Sequence, residues 1–239
     1  MKVAIHQPNA FPWLGYFHKV KQADVFVFLD DAAFSKGSYT NRVKIMTPRG
    51  VEWLTIPIKT AGKLGQPICE TQMAEGWEDK LLGKLEGAYR NAPQVQPVFS
   101  AICDHVDAVR EGASLADWNT RMVLWAMRRM GVIPGTAHLL DYTEEFYVSS
   151  KMDQVRGTST ERLISICQAF NADTYLSGSG GHNYQDEEAF ASAGIKLEYT
   201  SFTHPVYPQP SKTFVSGLSV LDMLFNCDEE ERAKVLQCL

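Results

Sequence analysis

The sequence predicts an α/β protein, with a Rossmann-like, mainly parallel sheet and a helical insertion in the middle of the chain. Apolar, strand-like runs alternate with helical patterns at both ends of the chain, whereas the region at about 76–131 shows helical periodicity. Alternating strands and helices form parallel sheets with right-handed crossovers. No internal repeat or low-complexity linker interrupts the sequence, so we treat residues 1–239 as a single domain.

The N-terminal segment is typical of a strand–helix–strand unit. VAIHQ is predicted to be a strand, WLGYFHKVKQA a helix and VFVFLDD a second strand. Pro8 and Pro12 exclude regular structure between the first strand and the helix. Such a unit places its two strands side by side and parallel in one sheet.

A β-hairpin and then helices are predicted further along the chain. Turn sequences precede RVKIM and EWLTIPI, which indicates two paired strands. WEDKLLGKLEGAYR has the periodicity of a helix, and another helix follows it. Capping-box signatures at Ser114 and Thr158, each with an acidic residue three positions later, predict the starts of two more helices. The remaining predicted elements are a strand at DTYLSG, a short helix at QDEEAFASAG, a strand at IKLEYTSF and a final helix at LSVLDMLFN.

Charge divides the chain into a basic N-terminal segment and an acidic remainder. Residues 1–63 hold nine Lys and Arg against four Asp and Glu, whereas residues 64–239 hold fourteen against twenty-four. A basic segment in a chain of net charge −5 favours an anionic small-molecule substrate, and we expect one that bears phosphate. The overall acidity argues against an extended nucleic-acid surface, although the basic segment could hold the acceptor end of an RNA.

Composition excludes several classes of protein. No window contains the roughly eighteen uninterrupted apolar residues that a membrane span needs, and the N-terminus lacks the apolar run of a secretory signal. Five scattered cysteines without a CxxC pair indicate neither a disulfide framework nor a structural zinc site. We therefore expect a cytoplasmic protein without a membrane span, and we assign no metal ligands.

His6, Asp30 and Asp31 are the candidate catalytic residues. Ligands bind at the carboxyl ends of the strands in a parallel sheet, where the first two predicted strands place these side chains. His6 could act as a general base near neutral pH, or it could be hydrogen-bonded into the loop between Pro8 and Pro12. Side chains alternate along a strand, so only one aspartate should face the crevice. That carboxylate could orient the base, bind a ribose hydroxyl or hold a hydrated magnesium ion, and the other could be a turn or N-cap residue.

Further polar residues of the N-terminal segment are predicted to bind the substrate. Lys36 and Arg42 flank a Gly-Ser turn, and a guanidinium with free backbone amides suits a phosphate or carboxylate. Taken singly, each of these cations could instead be a solvated surface residue. The substrate-binding candidates in this segment are Gln7, Tyr16, His18, Lys36, Tyr39, Asn41 and Arg42.

A glycine-rich loop follows the strand predicted at DTYLSG. Its sequence, Ser177-Gly178-Ser179-Gly180-Gly181, lets the backbone approach a ligand and point amide hydrogens at an anion. The loop matches neither GxGxxG nor the P-loop pattern, so binding of a dinucleotide or a P-loop triphosphate is not indicated, and a mobile turn is the alternative. The substrate-binding candidates in the C-terminal part are Ser177, Gly178, Gly180, Gly181, Tyr184, His204 and Tyr207.

Several long strings resemble the WbqC-like protein family, in the same order and through essentially the whole chain. They include HQPNAFPWLGYFHKV, ADVFVFLDDAAFSKGSYTNRVKI, TERLISICQAFNADTYLSGSGG and FTHPVYPQ. The resemblance implies a bacterial protein from gene clusters that build surface polysaccharide, O-antigen among them. It also implies transfer of an amino acid such as glycine onto a sugar, as is suggested for some members, and it carries over no catalytic residue set.

Residues and resemblance together predict an acyl- or aminoacyl-transferase that acts on the amino group of a nucleotide-linked sugar. The basic segment and the glycine-rich loop would hold the diphosphate, and an aminoacyl donor, which could be an aminoacyl-tRNA, would be the second substrate. His6 would be the general base, oriented by Asp30 or Asp31. The oxyanion would be stabilised by backbone amides and by Lys36, Asn41 and Arg42.

Two other functions stay open. The first strand, a Gly15-x-x-His18 helix entry and the Ser149-Ser150 pair are also similar to class I nucleotidyltransferases and pantothenate synthetase, although the second His of their HxGH pair is absent. That likeness implies magnesium-dependent adenylation with release of pyrophosphate. A non-catalytic scaffold of a polysaccharide assembly complex is the third possibility, and it predicts that His6→Ala and Arg42→Ala leave function intact.

Overall fold

The computed structural model describes residues 1–59, 65–109, 112–132, 147–183 and 185–239. In chain order, its strands and helices are β1 (Lys2–His6), α1 (Leu14–Lys21), β2 (Val25–Phe28), β3 (Arg42–Thr47), β4 (Gly50–Thr55), α2 (Trp77–Tyr89), α3 (Val95–Asp107), α4 (Leu115–Met130), β5 (Tyr147–Val148), α5 (Ser159–Ala169), β6 (Thr174–Ser177), α6 (Glu187–Ser192), β7 (Lys196–Tyr199), α7 (Val220–Asn226) and α8 (Glu229–Gln237). Short 3₁₀ helices cover Ile68–Glu70, Ser149–Lys151 and Ser179–Asn183.

A five-stranded parallel sheet with the strand order β5-β2-β1-β6-β7 forms the centre of the fold. The predicted α/β fold with a mainly parallel sheet is therefore confirmed. The chain builds the sheet outward from β1 through β2 to β5, and then returns to the other side of β1 to add β6 and β7. Because the direction of building reverses between β1 and β6, the loops that leave these two strands diverge and open a crevice at their carboxyl ends.

Side chains along each strand point alternately to the two faces of the sheet, and a separate apolar layer packs against each face. Val3 and Ile5 of β1 pack into a layer with Ile166 of α5 and Phe190 of α6. Ala4 points to the opposite layer, which includes α1 and most of the other helices. Side chains two positions apart share a face, so His6 is directed toward the α1 side.

The remaining strands form a two-stranded antiparallel hairpin, β3–β4, as the sequence predicts. Helices α2, α3 and α4 occupy the region of about 76–131 in which an insertion is predicted, and the description as one domain with an insertion stays a prediction. Asn119 of α4 is fully buried, and its amide donates hydrogen bonds to the carbonyls of Pro8, at 2.8 Å, and Thr40, at 2.7 Å. The helical region therefore holds the loop after β1 and the segment before β3 together.

In the described part of the chain, no helix is both long and apolar enough to cross a membrane.

The two predicted capping boxes have different outcomes. Ser114 Oγ accepts a hydrogen bond from the amide of Asp117 at 3.1 Å, and the Asp117 carboxylate accepts one from the amide of Ser114 at 2.9 Å, so the first box is confirmed. The second is wrong, because the Thr158 side chain makes no capping hydrogen bond to α5. The next residue, Ser159, has a φ of +50°, in the left-handed region, so the chain enters α5 by a different backbone path.

We expect Ser114→Ala to lower the free energy of unfolding by about 1 kcal/mol, because it removes the oxygen that caps α4. Thr158→Ala is the matched control, and it should change stability by no more than about 0.5 kcal/mol. Urea unfolding followed by circular dichroism measures both. Equal losses in the two variants would contradict the difference in capping between α4 and α5.

Candidate functional site

A cleft of about 700 Å³ opens at the carboxyl ends of β1 and β6, where the strand order reverses. Pockets of this size and position hold small ligands in open α/β sheets. Its lining consists of Ile5, His6, Gln7, Lys19, Leu29, Asp31, Ala32, Ala33, Thr158, Ser159, Thr160, Arg162, Leu163, Tyr175, Ser177, Gly178, Gly180 and Gly181.

Lys19 is a buried amine in the wall of this cleft. Only 4% of the residue is exposed, and Nζ donates a hydrogen bond of 2.7 Å to the carbonyl of Ile5. Helix α1 holds it there because every residue from Leu14 to Val20 is buried. Burial lowers the pKa of Lys19 from 10.5 to about 7. An amine with such a pKa can accept or release a proton near neutral pH.

His6 lines the same cleft but is a weak base. Desolvation by burial, and then the charge of Lys19, lower the pKa of His6 to about 3. The ring packs against Tyr16 with their centroids 4.6 Å apart, and Nδ1 lies 3.1 Å from the carbonyl oxygen of Gln7. The Tyr16 hydroxyl also donates to that carbonyl, at 3.2 Å. The imidazole therefore stays neutral over the physiological range, which suits hydrogen bonding better than proton abstraction.

The two aspartates after β2 have different surroundings. Asp31 lines the cleft and forms an ion pair with Arg162 of α5. Asp30 is buried and accepts hydrogen bonds from the Ser150 hydroxyl, at 2.6 Å, and the Ser150 amide, at 2.9 Å. Ser149 Oγ links the two carboxylates, at 3.1 Å from Asp30 and 2.5 Å from Asp31. Asp31 is therefore the aspartate that faces the cleft, and Asp30 anchors the chain after β5.

Residues at the starts of two helices line the cleft. Thr158, Ser159 and Thr160 open α5 at the cleft wall, and the first amides of a helix have no partner within it and carry partial positive charge. The glycine-rich loop begins the 3₁₀ helix at Ser179–Asn183 in the same way. A Cβ on Gly181 would lie 2.2 Å from Ser177 Oγ, so this position admits only glycine without a shift of its neighbours.

The predicted anion-binding residues Lys36 and Arg42 do not belong to the cleft lining. The Arg42 guanidinium lies over the ring of Trp53, with Cζ 4.2 Å from the ring centroid, and Lys36 and Tyr39 are exposed in the loop before β3. Asn41 is buried, and its amide donates to the carbonyl of Ile56 at 3.2 Å. Positive charge in the cleft comes instead from Lys19 and Arg162.

Other predicted site residues have structural surroundings. His18 is buried, with Nδ1 2.8 Å from the Leu239 carbonyl oxygen. The Tyr207 hydroxyl donates to Asp222 at 3.1 Å, and His204 stacks near Trp13 with the ring centroids 6.3 Å apart. Tyr184 lies outside the described residues. Of the predicted set, the structure brings together His6, Gln7, Asp31, Ser177, Gly178, Gly180 and Gly181.

Lys19 and Arg162 are functional candidates that the sequence reasoning did not select. The local signal that could have identified Lys19 is its position between the apolar residues Phe17 and Val20, on a helix that begins with Leu14. No local signal marks Arg162, because its partner Asp31 is 131 residues away in the chain.

Among the described residues, no group of three or more His, Cys, Asp or Glu side chains is arranged to hold a metal ion.

Fold and cleft define an α/β protein with a cleft of small-molecule size at the reversal of its strand order. The chain belongs to the WbqC-like protein family, whose model matches residues 7–234. It is 30% identical over 234 residues to a Mycobacterium tuberculosis protein that is named only as uncharacterized, a match that covers 96% of this chain and 95% of the relative. No solved structure shows significant similarity to the chain.

Proposed function

We propose that this protein is a transferase that attaches an acyl or aminoacyl group, such as glycyl, to the amino group of a nucleotide-linked sugar. The observation that supports this most is one cleft lined by Arg162, by residues at the starts of two helices and by an amine with a pKa of about 7. Family membership suggests the biosynthesis of bacterial surface polysaccharide as the setting. All five cysteines are free, which suits the cytoplasm as the place of action.

The phosphate groups of the substrate would bind between Arg162 and the glycine-rich loop. Arginine recognises phosphate by paired, charge-assisted hydrogen bonds, and Asp31 holds the guanidinium in place. Amides at the start of α5 and around Gly180 would supply further donors without side chains. Gln7 and neutral His6 would then hydrogen-bond the sugar at the tip of β1.

Lys19 would remove the proton from the sugar amine as it attacks the donor carbonyl. The new bond joins the amine nitrogen to the acyl carbon, and the bond from that carbon to the donor oxygen breaks. Protonated Lys19 would then return the proton to this oxygen, so that the donor leaves as an alcohol and the lysine is neutral again. Neutral Lys19 can accept the amine proton because its pKa is about 7, whereas His6, with a pKa of about 3, is too weak a base. Amides of the glycine-rich loop would stabilise the oxyanion that forms on the way.

Arg162→Gln should weaken the binding of a UDP- or dTDP-linked amino sugar at least about tenfold, because a charge-assisted hydrogen bond contributes about 1.5–3 kcal/mol. Lys36→Gln is the matched control, since it removes an exposed cation outside the cleft and should leave the dissociation constant unchanged. Isothermal titration calorimetry measures both, after thermal melts have shown that each variant is folded.

The transfer itself is tested by incubating protein, amino sugar and candidate aminoacyl donors, and measuring the mass of the sugar. A mass increase equal to one acyl group supports the transferase. Tight nucleotide binding without product from any donor, together with pyrophosphate release from a nucleoside triphosphate, would favour adenylation instead. A loss of binding in Lys36→Gln as large as in Arg162→Gln would overturn the assignment of the cleft.

A further inference from the structure

The outer face of the β3–β4 hairpin carries exposed aromatic rings and cations. Lys44 is directly opposite Trp53 in the strand pairing, and Arg42 is opposite Thr55, so these four side chains share one face. The opposite face packs Val43, Ile45 and Leu54 into the protein core, where they are almost fully buried. Trp53 is 38% exposed, and Tyr39, in the preceding loop, is 50% exposed. Tyr39, Arg42, Lys44, Trp53 and Thr55 are hereafter called the hairpin face.

The rings and cations of the hairpin face contact one another. The centroids of Tyr39 and Trp53 are 5.9 Å apart. Arg42 Cζ lies 4.2 Å from the centroid of the Trp53 ring, and Lys44 Nζ lies 5.6 Å from it. Gly37 lies close to the Arg42 guanidinium, because a Cβ at that glycine would be 3.2 Å from it. The guanidinium is therefore packed between Gly37 and the exposed Trp53 ring.

No carboxylate balances the charge of this face among the described residues. Arg42 forms no ion pair there, and its Nε is buried without a hydrogen-bond partner. Glu52 is the only acidic residue of the hairpin, and it lies on the opposite side, where Arg49 and Lys84 neutralise it. Lys36 adds a further exposed cation beside Gly37. The hairpin face is therefore complementary to a polyanion.

This combination points to one kind of partner. Stacking rings next to fixed cations suit a chain that offers flat unpaired bases and phosphates in alternation. A neutral oligosaccharide would leave Arg42 and Lys44 without partners, and a duplex would keep its bases away from Tyr39 and Trp53. The face spans few residues, so it fits a strand of a few nucleotides.

We infer that the hairpin face binds a short stretch of single-stranded nucleic acid, with bases stacked on Tyr39 and Trp53 and phosphates held by Arg42 and Lys44. The segment that carries Tyr39 also contacts the cleft wall, since Thr40 donates a hydrogen bond of 3.2 Å to Gln7. The inference does not depend on the transfer reaction proposed for the cleft, and binding of a nucleotide sugar can succeed or fail separately.

The test is fluorescence anisotropy with a labelled single-stranded RNA of eight nucleotides. Trp53→Ala should weaken binding about tenfold, the size of effect that loss of a stacked base produces. Trp13→Ala is the matched control, because Trp13 is similarly exposed, at 40%, but lies outside the hairpin face. Trp53→Phe keeps a ring and should restore most of the affinity, which separates stacking from a general disturbance of the hairpin.

Charge is tested by the dependence of binding on salt. Lys44→Gln should reduce the slope of log K against log salt by about 0.7, the value for one lost phosphate contact on a single strand. Lys80→Gln, at an exposed position of α2, should leave the slope unchanged. Three results would overturn the inference: no binding, equal losses in Trp53→Ala and Trp13→Ala, or displacement of the RNA by polyphosphate as effectively as by unlabelled RNA.

Discussion

Replacing Lys19 by methionine should stabilise the protein strongly at pH 6 and have little effect at pH 10. Burial lowers the pKa of Lys19 from 10.5 to about 7 in the folded protein. Between these two values the unfolded chain binds a proton that the folded protein does not bind, so the free energy of unfolding rises with pH across this window. Below about pH 7 the folded protein must instead hold a buried ammonium, and methionine removes that cost.

The effect of Lys19→Met on the free energy of unfolding should differ by about 4 kcal/mol between pH 6 and pH 10, because one unit of pKa shift corresponds to about 1.4 kcal/mol. Loss of the 2.7 Å hydrogen bond to the Ile5 carbonyl opposes this by about 1 kcal/mol at both pH values. Denaturant unfolding at each pH measures the difference. Lys21→Met, at an exposed position of the same helix, is the control and should show no such dependence. If Lys19→Met changed the free energy of unfolding by the same amount at pH 6 and at pH 10, the result would contradict a lowered pKa of Lys19.

The same variant tests the proposed chemistry. If Lys19 accepts the amine proton, the kcat of the wild-type protein should fall as the pH drops through about 7, since the amine becomes protonated. Lys19→Met should lower kcat about a hundredfold or more and remove this dependence. A variant that keeps its activity and its pH profile would exclude Lys19 as the proton acceptor, whatever its effect on stability.

Gly181→Ala should both destabilise the protein and weaken the binding of a nucleotide sugar. The new Cβ would lie 2.2 Å from Ser177 Oγ and 2.6 Å from Gln185 Oε1, and Ser177 is almost fully buried. Overpacking of this kind costs about 1–3 kcal/mol, and the shift that relieves it would move the loop amides in the cleft. We expect the dissociation constant to rise at least about tenfold, as measured by calorimetry.

Gly180→Ala is a closely matched control for that change. It lies in the same loop and lines the same cleft, but a Cβ there would meet nothing within 4 Å. Its effect on stability should be no more than about 0.5 kcal/mol. If Gly181→Ala and Gly180→Ala have the same effect on the melting temperature and on the dissociation constant, the close packing around Gly181 does not position the loop.

The sequence predicted the local elements well where neighbouring residues decide the structure. Pro8 and Pro12 delimit the loop between β1 and α1, Ser114 caps α4, and turn signals bracket the β3–β4 hairpin. Thr158 shows the limit of the same reasoning. It has the pattern of an N-cap, but the chain enters α5 through a left-handed Ser159, and the hydroxyl of Thr158 takes no part in the cap.

The sequence by itself determined the fold class and the edge of the sheet at which the cleft opens, because periodicity and proline positions act over a few residues. The tertiary structure alone decided which charges reach that edge. Arg42 belongs to a separate hairpin and Lys36 to the loop before it, whereas Lys19 loses contact with water only because β1 and the rest of the core cover α1. Desolvation and ion pairing depend on residues far apart in the chain, and for that reason the lowered pKa of Lys19 and the pairing of Arg162 with Asp31 could emerge only once the chain was folded.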